Sequence, residues 1–227
     1  MKTILITGIS RGIGKALTEK FLAEGHFVIG TFFSGEVYIE NKNLTVFSLD
    51  LSKSQSIANC AKNIENLGKR IDIVINNAGA LFDEEETKII VEKLRKTLEV
   101  NLLGTIDFTE HIIPLVQKDG HVVNISSTAG SLELAGIEKE LSSHYPHHYP
   151  AYKISKTALN MYTRTLASRL HEVGVTVSSV HPGWVKTEMG GKEAELTPQE
   201  AAEEIYKVAI SKPETGQFWF KDKRVPW

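Results

Sequence analysis

Short apolar runs rich in β-branched residues alternate with stretches of helical spacing along this chain, and that alternation leaves few folds open. The runs cover residues 3–7, 26–33, 44–49, 71–75, 121–125, 175–180 and 217–220. Ile71 to Ile75 is almost continuously apolar, as a strand covered on both faces must be. Between the first two runs, Ile13, Leu17, Phe21 and Leu22 fall at helical spacing over residues 13–24. Residues 83–118 read as largely helical, two helices meeting near Val100-Asn101-Leu-Leu-Gly104. Strands separated by helices predict an α/β fold: a doubly wound, parallel, seven-stranded sheet with helices on both faces and a ligand crevice at the strands' carboxyl ends. With 227 residues and 41% hydrophobic content, residues 1–227 are expected to form one domain around one sizeable core.

Composition removes several classes of function. A formal charge of −2, with Lys and Arg scattered, carries no nucleic-acid or membrane signature. No stretch approaches the 18 or so apolar residues needed to span a bilayer. The apolar run after Met1-Lys-Thr is too short for a signal peptide. Cys60 is the only cysteine, which excludes an intramolecular disulfide and points to a reducing compartment, the cytoplasm.

The first turn between strand and helix reads Thr7-Gly-Ile-Ser-Arg-Gly-Ile-Gly14. Gly8, Gly12 and Gly14 suit a tight turn, a close approach of backbone to a pyrophosphate, and close packing of helix on strand, with the helix N-terminus facing the phosphates. The spacing departs from G-x-G-x-x-G, and an ordinary glycine-rich loop is the alternative. At the end of the second run an acidic residue would accept the ribose 2′-hydroxyl of NAD, but Gly30-Thr-Phe-Phe-Ser-Gly35 offers none. Arg11 would instead meet the 2′-phosphate of NADP, unless it is a solvated surface residue. NADP(H) is therefore favoured over NAD(H). Asp50, ending the third run, suits a hydrogen bond from adenine or a cap for the next helix, which Ser52 or Ser54 could also supply. Asn76-Asn-Ala-Gly79 places small residues and amides where backbone passes close to a ligand.

Ala151-Tyr-Lys-Ile-Ser-Lys-Thr-Ala-Leu-Asn160 favours a helix, which puts Tyr152 and Lys156 on one face about 6 Å apart along the axis. A phenol holds its proton to about pH 10, and an adjacent ammonium favours the phenolate; three units would represent about 4 kcal/mol. Such a tyrosine could trade a proton with a substrate oxygen near neutrality. Tyr149 and Lys153 share the spacing, but Pro150 belongs in a first helical turn and leaves Tyr149 at or before the cap. Asn101, polar among apolar neighbours, is either a satisfied core amide or an active-site one.

In this order, Thr7-Gly-x-x-x-Gly-x-Gly14, Asn76-Asn-Ala-Gly79, Asn101, Ser127, Tyr152-x-x-Ser-Lys156 and Pro182-Gly183 resemble the motifs of the short-chain dehydrogenase/reductase family over nearly the whole chain. His181-Pro-Gly-Trp-Val-Lys-Thr-Glu-Met-Gly190 and the chain's ending look most like the carbonyl-reductase subgroup that includes Sniffer and the C-factor-like proteins. The resemblance implies a Rossmann-type fold and hydride transfer between NADP(H) and a small-molecule carbonyl or alcohol substrate. It implies that Tyr152 is the proton donor, that Lys156 lowers its pKa and holds the nicotinamide ribose, and that Ser127 bonds the substrate oxygen, with Ser126 as the alternative. Asn101 would support a water-linked proton path. Gly8, Ser10, Arg11, Gly12, Ile13, Gly14, Asp50, Leu51, Asn77, Ala78 and Gly79 would hold the dinucleotide, together with Tyr152 and Lys156, while Pro182, Gly183, Val185 and Thr187 orient the nicotinamide.

Ser127 and Tyr152 stand further apart than in many members, because residues 131–150 add a segment beside the active site. Such a segment can obstruct the helix packing used for tetramers, which leaves a homodimer open. Its His144, His147 and His148 invite a metal reading, but no cysteine or carboxylate is spaced to complete a site, so no metal is expected. Tyr145, Tyr149 and Trp184 suit a substrate pocket, and residues 184–198 a lid. A second class of function, a regulatory dinucleotide sensor with incidental catalysis, is disfavoured by the intact Ser, Tyr and Lys.

Overall fold

The computed structural model describes residues 1–135 and 148–227. Strands β1 (Thr3–Thr7), β2 (Phe27–Phe32), β3 (Leu44–Ser48), β4 (Ile71–Asn76), β5 (Val116–Ile125), β6 (Thr176–Val180) and β7 (Gln217–Phe220) form one sheet in the order β3-β2-β1-β4-β5-β6-β7, all neighbours parallel. The order reverses between β1 and β4. That switch point opens the crevice in which such sheets bind ligands.

The alternation inside β1 shows why both faces are covered. Ile4 and Ile6 point to one side and Leu5 to the other, all fully buried. On the first side pack α1 (Gly12–Ala23), through Leu17 and Phe21, and α6 (Pro198–Ser211), through Ile205 and Ala209. On the second side pack α2 (Ser54–Glu65), through Ile57 and Ile64, α4 (Thr105–Ile112), through Phe108 and Ile112, and α5 (Pro150–Leu170), through Leu166 and Leu170. Helix α6 begins with a reciprocal cap: Thr197 accepts the Glu200 N–H at 3.2 Å while the Glu200 carboxylate accepts the Thr197 N–H at 2.8 Å.

The sheet departs from expectation at its edge and in one helical stretch. An eighth strand, β8 (Lys223–Arg224), pairs antiparallel with β7 and is too short and too polar to show as a period. Residues 83–90 form turns and bends rather than helix: the Glu86 N–H closes a turn on the Asp83 carbonyl at 3.0 Å, and the Glu86 carbonyl accepts the Tyr149 N–H, just before α5, at 2.9 Å. The two helices do meet near Asn101. Helix α3 (Val91–Leu98) runs through a π-helical turn, Glu99–Gly104, into α4. Strand β5 starts earlier than expected, at Val116, with a register shift before His121 joins Ile73. Neither Ser52 nor Ser54 caps α2, whose N-cap is Lys53 without a side-chain bond.

Candidate active site

The loop from β1 to α1 crosses the switch point with bare backbone. Gly8 and Gly12 have φ of +75° and +55°, a region that favours glycine. A Cβ on Gly14 would stand 2.0 Å from the Gly8 oxygen, so α1 can approach the strand only because that atom is missing. No side chain caps the start of α1 and its first turn holds no acid, which leaves its N–H groups available to an anion. Thr7, quoted in the glycine-turn motif but given no role from sequence, ties this loop to the next. Its hydroxyl accepts the N–H of Asn77 and of Ala78, each at 3.0 Å. Asn77 Nδ2 returns to the carbonyls of Thr7 (2.9 Å) and Gly8 (3.2 Å), so Asn77 braces the loop.

Gly79 lies beside the lysine: a methyl added there would sit 3.8 Å from Lys156 Nζ and 3.4 Å from Asn101 Oδ1. Asn101 is buried in the π-helical turn, where Oδ1 accepts the Ala80 N–H at 2.7 Å and Nδ2 donates to the Ala80 carbonyl at 2.8 Å and to Ser155 Oγ at 3.2 Å. Its side chain is therefore a satisfied amide that fixes Gly79-Ala80 against α5. A π turn beside a ligand crevice is a recurring arrangement.

At the end of β5 the two serines separate. Ser126 is buried and donates to Asn160 Oδ1 at 2.6 Å. Ser127 stays partly exposed, its hydroxyl near enough to Tyr152 to draw the phenol's pKa down, and it accepts the Ala129 N–H at 3.1 Å. Tyr149 is the residue before α5, so Tyr152 lies inside the helix and Tyr149 does not. Lys156 is buried, its Nζ 5.5 Å from the Tyr152 ring centroid and donating to the Ile125 carbonyl at 2.8 Å. Below them, Asn76 Nδ2 donates to Thr109 Oγ1 and Asn124 Oδ1, and Asn124 Nδ2 to Thr163 Oγ1, pinning the strand ends to α4 and α5.

The electrostatics differ from the expectation of a phenol depressed by its lysine. Burial pushes the Tyr152 phenol up to about 12, with Ser127 pulling it back and Tyr149 adding to the rise. Burial also brings Lys156 down to about 8. Both ionised forms lose water, and the amine is anchored to a strand carbonyl rather than to the phenol oxygen. The result is a phenol that keeps its proton at neutral pH.

Pro182, Gly183, Val185 and Thr187 follow β6 in a loop that folds onto itself. Val185 bridges Leu196, Trp184 Nε1 donates to the Gly190 carbonyl at 2.7 Å, and the Gly190 N–H reaches Thr187 Oγ1 at 3.1 Å. Gly183 has φ +87°, and a Cβ there would meet Leu196 Cδ1 at 2.5 Å. Thr187 faces the glycine loop, its Cγ2 3.2 Å from where a Gly12 Cβ would be. Arg11 is exposed and paired with Glu188 at 2.7 Å across the same gap. The His181 imidazole, taken down to about 4 by burial, receives a long 3.4 Å contact from the Thr128 N–H.

Ser10 and Ile13 line the same loop as Arg11, Ile13 packing partly into the core. Asp50 turns to its own neighbours, accepting the Ser52 N–H (3.0 Å) and hydroxyl (2.6 Å) and pairing with Lys53 at 3.0 Å. Leu51 is buried in the core, its carbonyl where a Gly104 Cβ would otherwise fall. His144, Tyr145 and His147, and most of the 131–150 segment, lie outside the described residues. Among the described residues no group of His, Cys, Asp or Glu is placed to hold a metal, and no helix is long and apolar enough to cross a membrane.

Residues 2–197 match the family model for short chain dehydrogenases. The chain is 32% identical over 224 residues to 3-oxoacyl-acyl-carrier-protein reductase FabG of Aquifex aeolicus, covering 94% of this chain and 86% of that protein. NADPH-bound carbonyl reductase from chicken fatty liver superposes with a TM-score of 0.88 at 25% identity, over 100% of this chain and 94% of its own. Carbonyl reductase Sniffer of D. melanogaster gives 0.87 at 25% identity, over 100% of both chains.

Proposed function

The chain belongs to the short-chain dehydrogenase/reductase family, and on that premise we propose that it is an NADP(H)-dependent reductase that interconverts a small carbonyl compound and its alcohol, with Tyr152 as general acid and base. The observation that carries this reading is the group at the end of β5: Ser127 beside the Tyr152 phenol, with Lys156 buried one helical turn further on. The residues present fit a dinucleotide. Gly8 and Gly12 form a cradle that side chains would fill, α1 offers an uncapped N-terminus, and Arg11 supplies the positive charge for a 2′-phosphate. Gly79 and the loop from Pro182 to Thr187 would flank the nicotinamide half, and Lys156 its ribose. When bound, NADPH supplies the hydride to the carbonyl carbon.

The remaining work falls to the chain. Ser127 and Tyr152 orient the substrate oxygen, and as the carbon–oxygen π pair moves onto that oxygen, Tyr152 gives it the phenolic proton. The lysine's tether to the Ile125 carbonyl holds its amine, still mostly protonated at neutral pH despite its burial, within reach of the phenolate left behind. A buried, unpaired Cys60 agrees with a reducing compartment, the cytoplasm. Exposed Leu103, Ile154 and Met161, on the π-helical turn and α5, support a homodimer. The test is a panel of aldehydes, ketones and quinones assayed with NADPH and with NADH. At least one should oxidise NADPH at a higher kcat/KM than NADH; cofactor binding without turnover on any of them would favour a sensor.

A further inference from the structure

Ser127 lies just past β5, in neither helix nor strand, whereas Tyr152 and Lys156 ride on α5. Its hydroxyl is only as well placed as the turn that follows it, Thr128–Gly130. The serine accepts the Ala129 N–H on Oγ at 3.1 Å and the Gly130 N–H on its carbonyl at 2.9 Å. One side of that turn is wedged against α5: a Cβ on Gly130 would stand 2.6 Å from the Lys156 carbonyl carbon. The other side is held from the edge of the sheet. The Ser131 N–H donates to the Thr128 carbonyl at 3.0 Å, the Leu134 N–H to Ser131 Oγ at 3.2 Å, and the Glu133 N–H to the Trp227 carbonyl at 2.9 Å.

Trp227 is itself anchored by its ring. The indole stacks on Phe218 of β7, centroids 5.6 Å apart and planes 24° from parallel, and the Arg164 guanidinium of α5 stands 5.6 Å from the indole centre. With Leu134, Phe218 and Val225 buried and Phe220 packed beside them, these residues form a small core apart from the two that cover the sheet. Phe220 reaches the same turn by a second route, its ring 5.0 Å from that of His181, which takes the Thr128 N–H. We propose that Trp227 is a positioning residue for Ser127: its ring fixes residues 131–134, and through them the turn that aims the serine hydroxyl at the substrate oxygen. This rests on the reductase reading above, in which Ser127 orients that oxygen. A displacement of about 1 Å in such a group is enough to cost about 10²-fold in rate. The Gly8–Gly14 cradle shares no residue with this small core, so cofactor binding is insulated from it.

A double-mutant cycle tests the coupling. Single-turnover hydride transfer to a carbonyl compound, read as loss of NADPH fluorescence, keeps slow variants measurable. Trp227→Ala removes the stack on Phe218 and keeps the backbone carbonyl. It should slow turnover by about tenfold or more, with the NADPH dissociation constant close to wild type. Introduced into Ser127→Ala, the same substitution should change the rate by less than about twofold, because the hydroxyl it serves is gone. Trp227→Phe, which restores an aromatic stack, should recover most of the wild-type rate. Leu134→Ala trims the same core from its other side and should repeat the pattern, which keeps the test open if Trp227→Ala does not fold. Equal losses in both backgrounds, or a matching loss of NADPH affinity, would show a general structural role and overturn the proposal. So would a wild-type rate in both Trp227→Ala and Leu134→Ala. A wild-type protein that binds NADPH yet reduces no aldehyde, ketone or quinone would instead remove the reductase reading, and the serine's role with it.

Discussion

Lys156 Nζ donates at 2.8 Å to the carbonyl of Ile125, the last residue of β5, while lying 5.5 Å from the centre of the Tyr152 ring. The amine is thus fastened to the sheet, and the phenol one turn earlier stands beside Ser127, just past the end of the same strand. Helix and strand therefore fix the relative positions of the phenol, the serine hydroxyl and the amine, which the proposed reaction would use as they stand. Pre-set geometry of this kind is what lowers the entropic part of a barrier.

Removing the phenolic oxygen tests the proton donor. Tyr152→Phe should lower kcat for carbonyl reduction by about 10²–10⁴, the range for a positioned acid, with NADPH affinity nearly unchanged. Turnover equal to wild type would show that another group supplies the proton.

The pH profile should report the lysine rather than the tyrosine. Burial lowers Lys156 to about 8 and raises Tyr152 to about 12, so between those values the phenol keeps its proton while the amine loses its charge. Reduction should accordingly fall as pH rises through about 8. In Lys156→Arg, whose guanidinium stays charged, the same limb should vanish whatever the absolute rate. A limb that persists in the variant belongs to some other group.

Arg11 and Glu188 form an exposed pair bridging the glycine loop and the segment after β6. A 2′-phosphate would compete with the Glu188 carboxylate for the same guanidinium. Arg11→Ala should weaken NADPH at least about tenfold more than NADH, roughly 1.4 kcal/mol of selective binding. Glu188→Gln should shift binding the opposite way, tightening NADPH alone. Parallel changes in both cofactors for Arg11→Ala would refute the phosphate contact.

The parts of this architecture written locally in the sequence were legible, and those made by distant contacts were not. The inner strands β1, β2, β4, β5 and β6 show as apolar runs because most of their residues are buried, and the crevice shows because glycines and prolines stand where strands end. Segment 83–90 misleads: Glu84-Glu85-Glu86 is helix-forming in composition, yet Asp83 and Glu86 are committed to the start of α5. Thr7 looks like any strand residue until Asn77 and Ala78 are brought to it. The i,i+4 spacing of Tyr152 and Lys156 put the two on one stretch of α5, as they stand, but it did not carry the upward direction of the phenol's shift, since spacing encodes proximity and only packing encodes loss of water.

Thr7→Val removes the hydroxyl that accepts two backbone N–H groups and keeps the side chain's shape. Two partly buried donors would lose their acceptor, at about 1–3 kcal/mol apiece if no water replaces it. The variant should unfold at a lower denaturant concentration and bind NADPH more weakly, because Asn77-Ala78 and the Gly8 turn would no longer be tied. A midpoint within error of wild type would show that Asn77 Nδ2 alone holds the two loops together.

His121 gives the fold an acid limit of its own. It is fully buried on β5, one ring nitrogen 3.0 Å from the Ala209 carbonyl on α6 and the other 3.0 Å from Ser178 Oγ on β6, and burial brings it down to about 4. Above about pH 6.5 the imidazole is neutral in folded and unfolded chains alike, and it adds no pH dependence. As pH falls from about 6.5 to about 4 the unfolded chain takes up a proton that the folded one refuses, so stability is lost across that window, by about 3 kcal/mol. His181, lowered in the same direction, acts in the same window. Urea unfolding midpoints at pH 7 and pH 4 should differ more for the wild-type protein than for His121→Asn, which carries no titrating group at that site. Equal differences would mean that the ring is protonated within the fold, with α6 yielding to admit the charge.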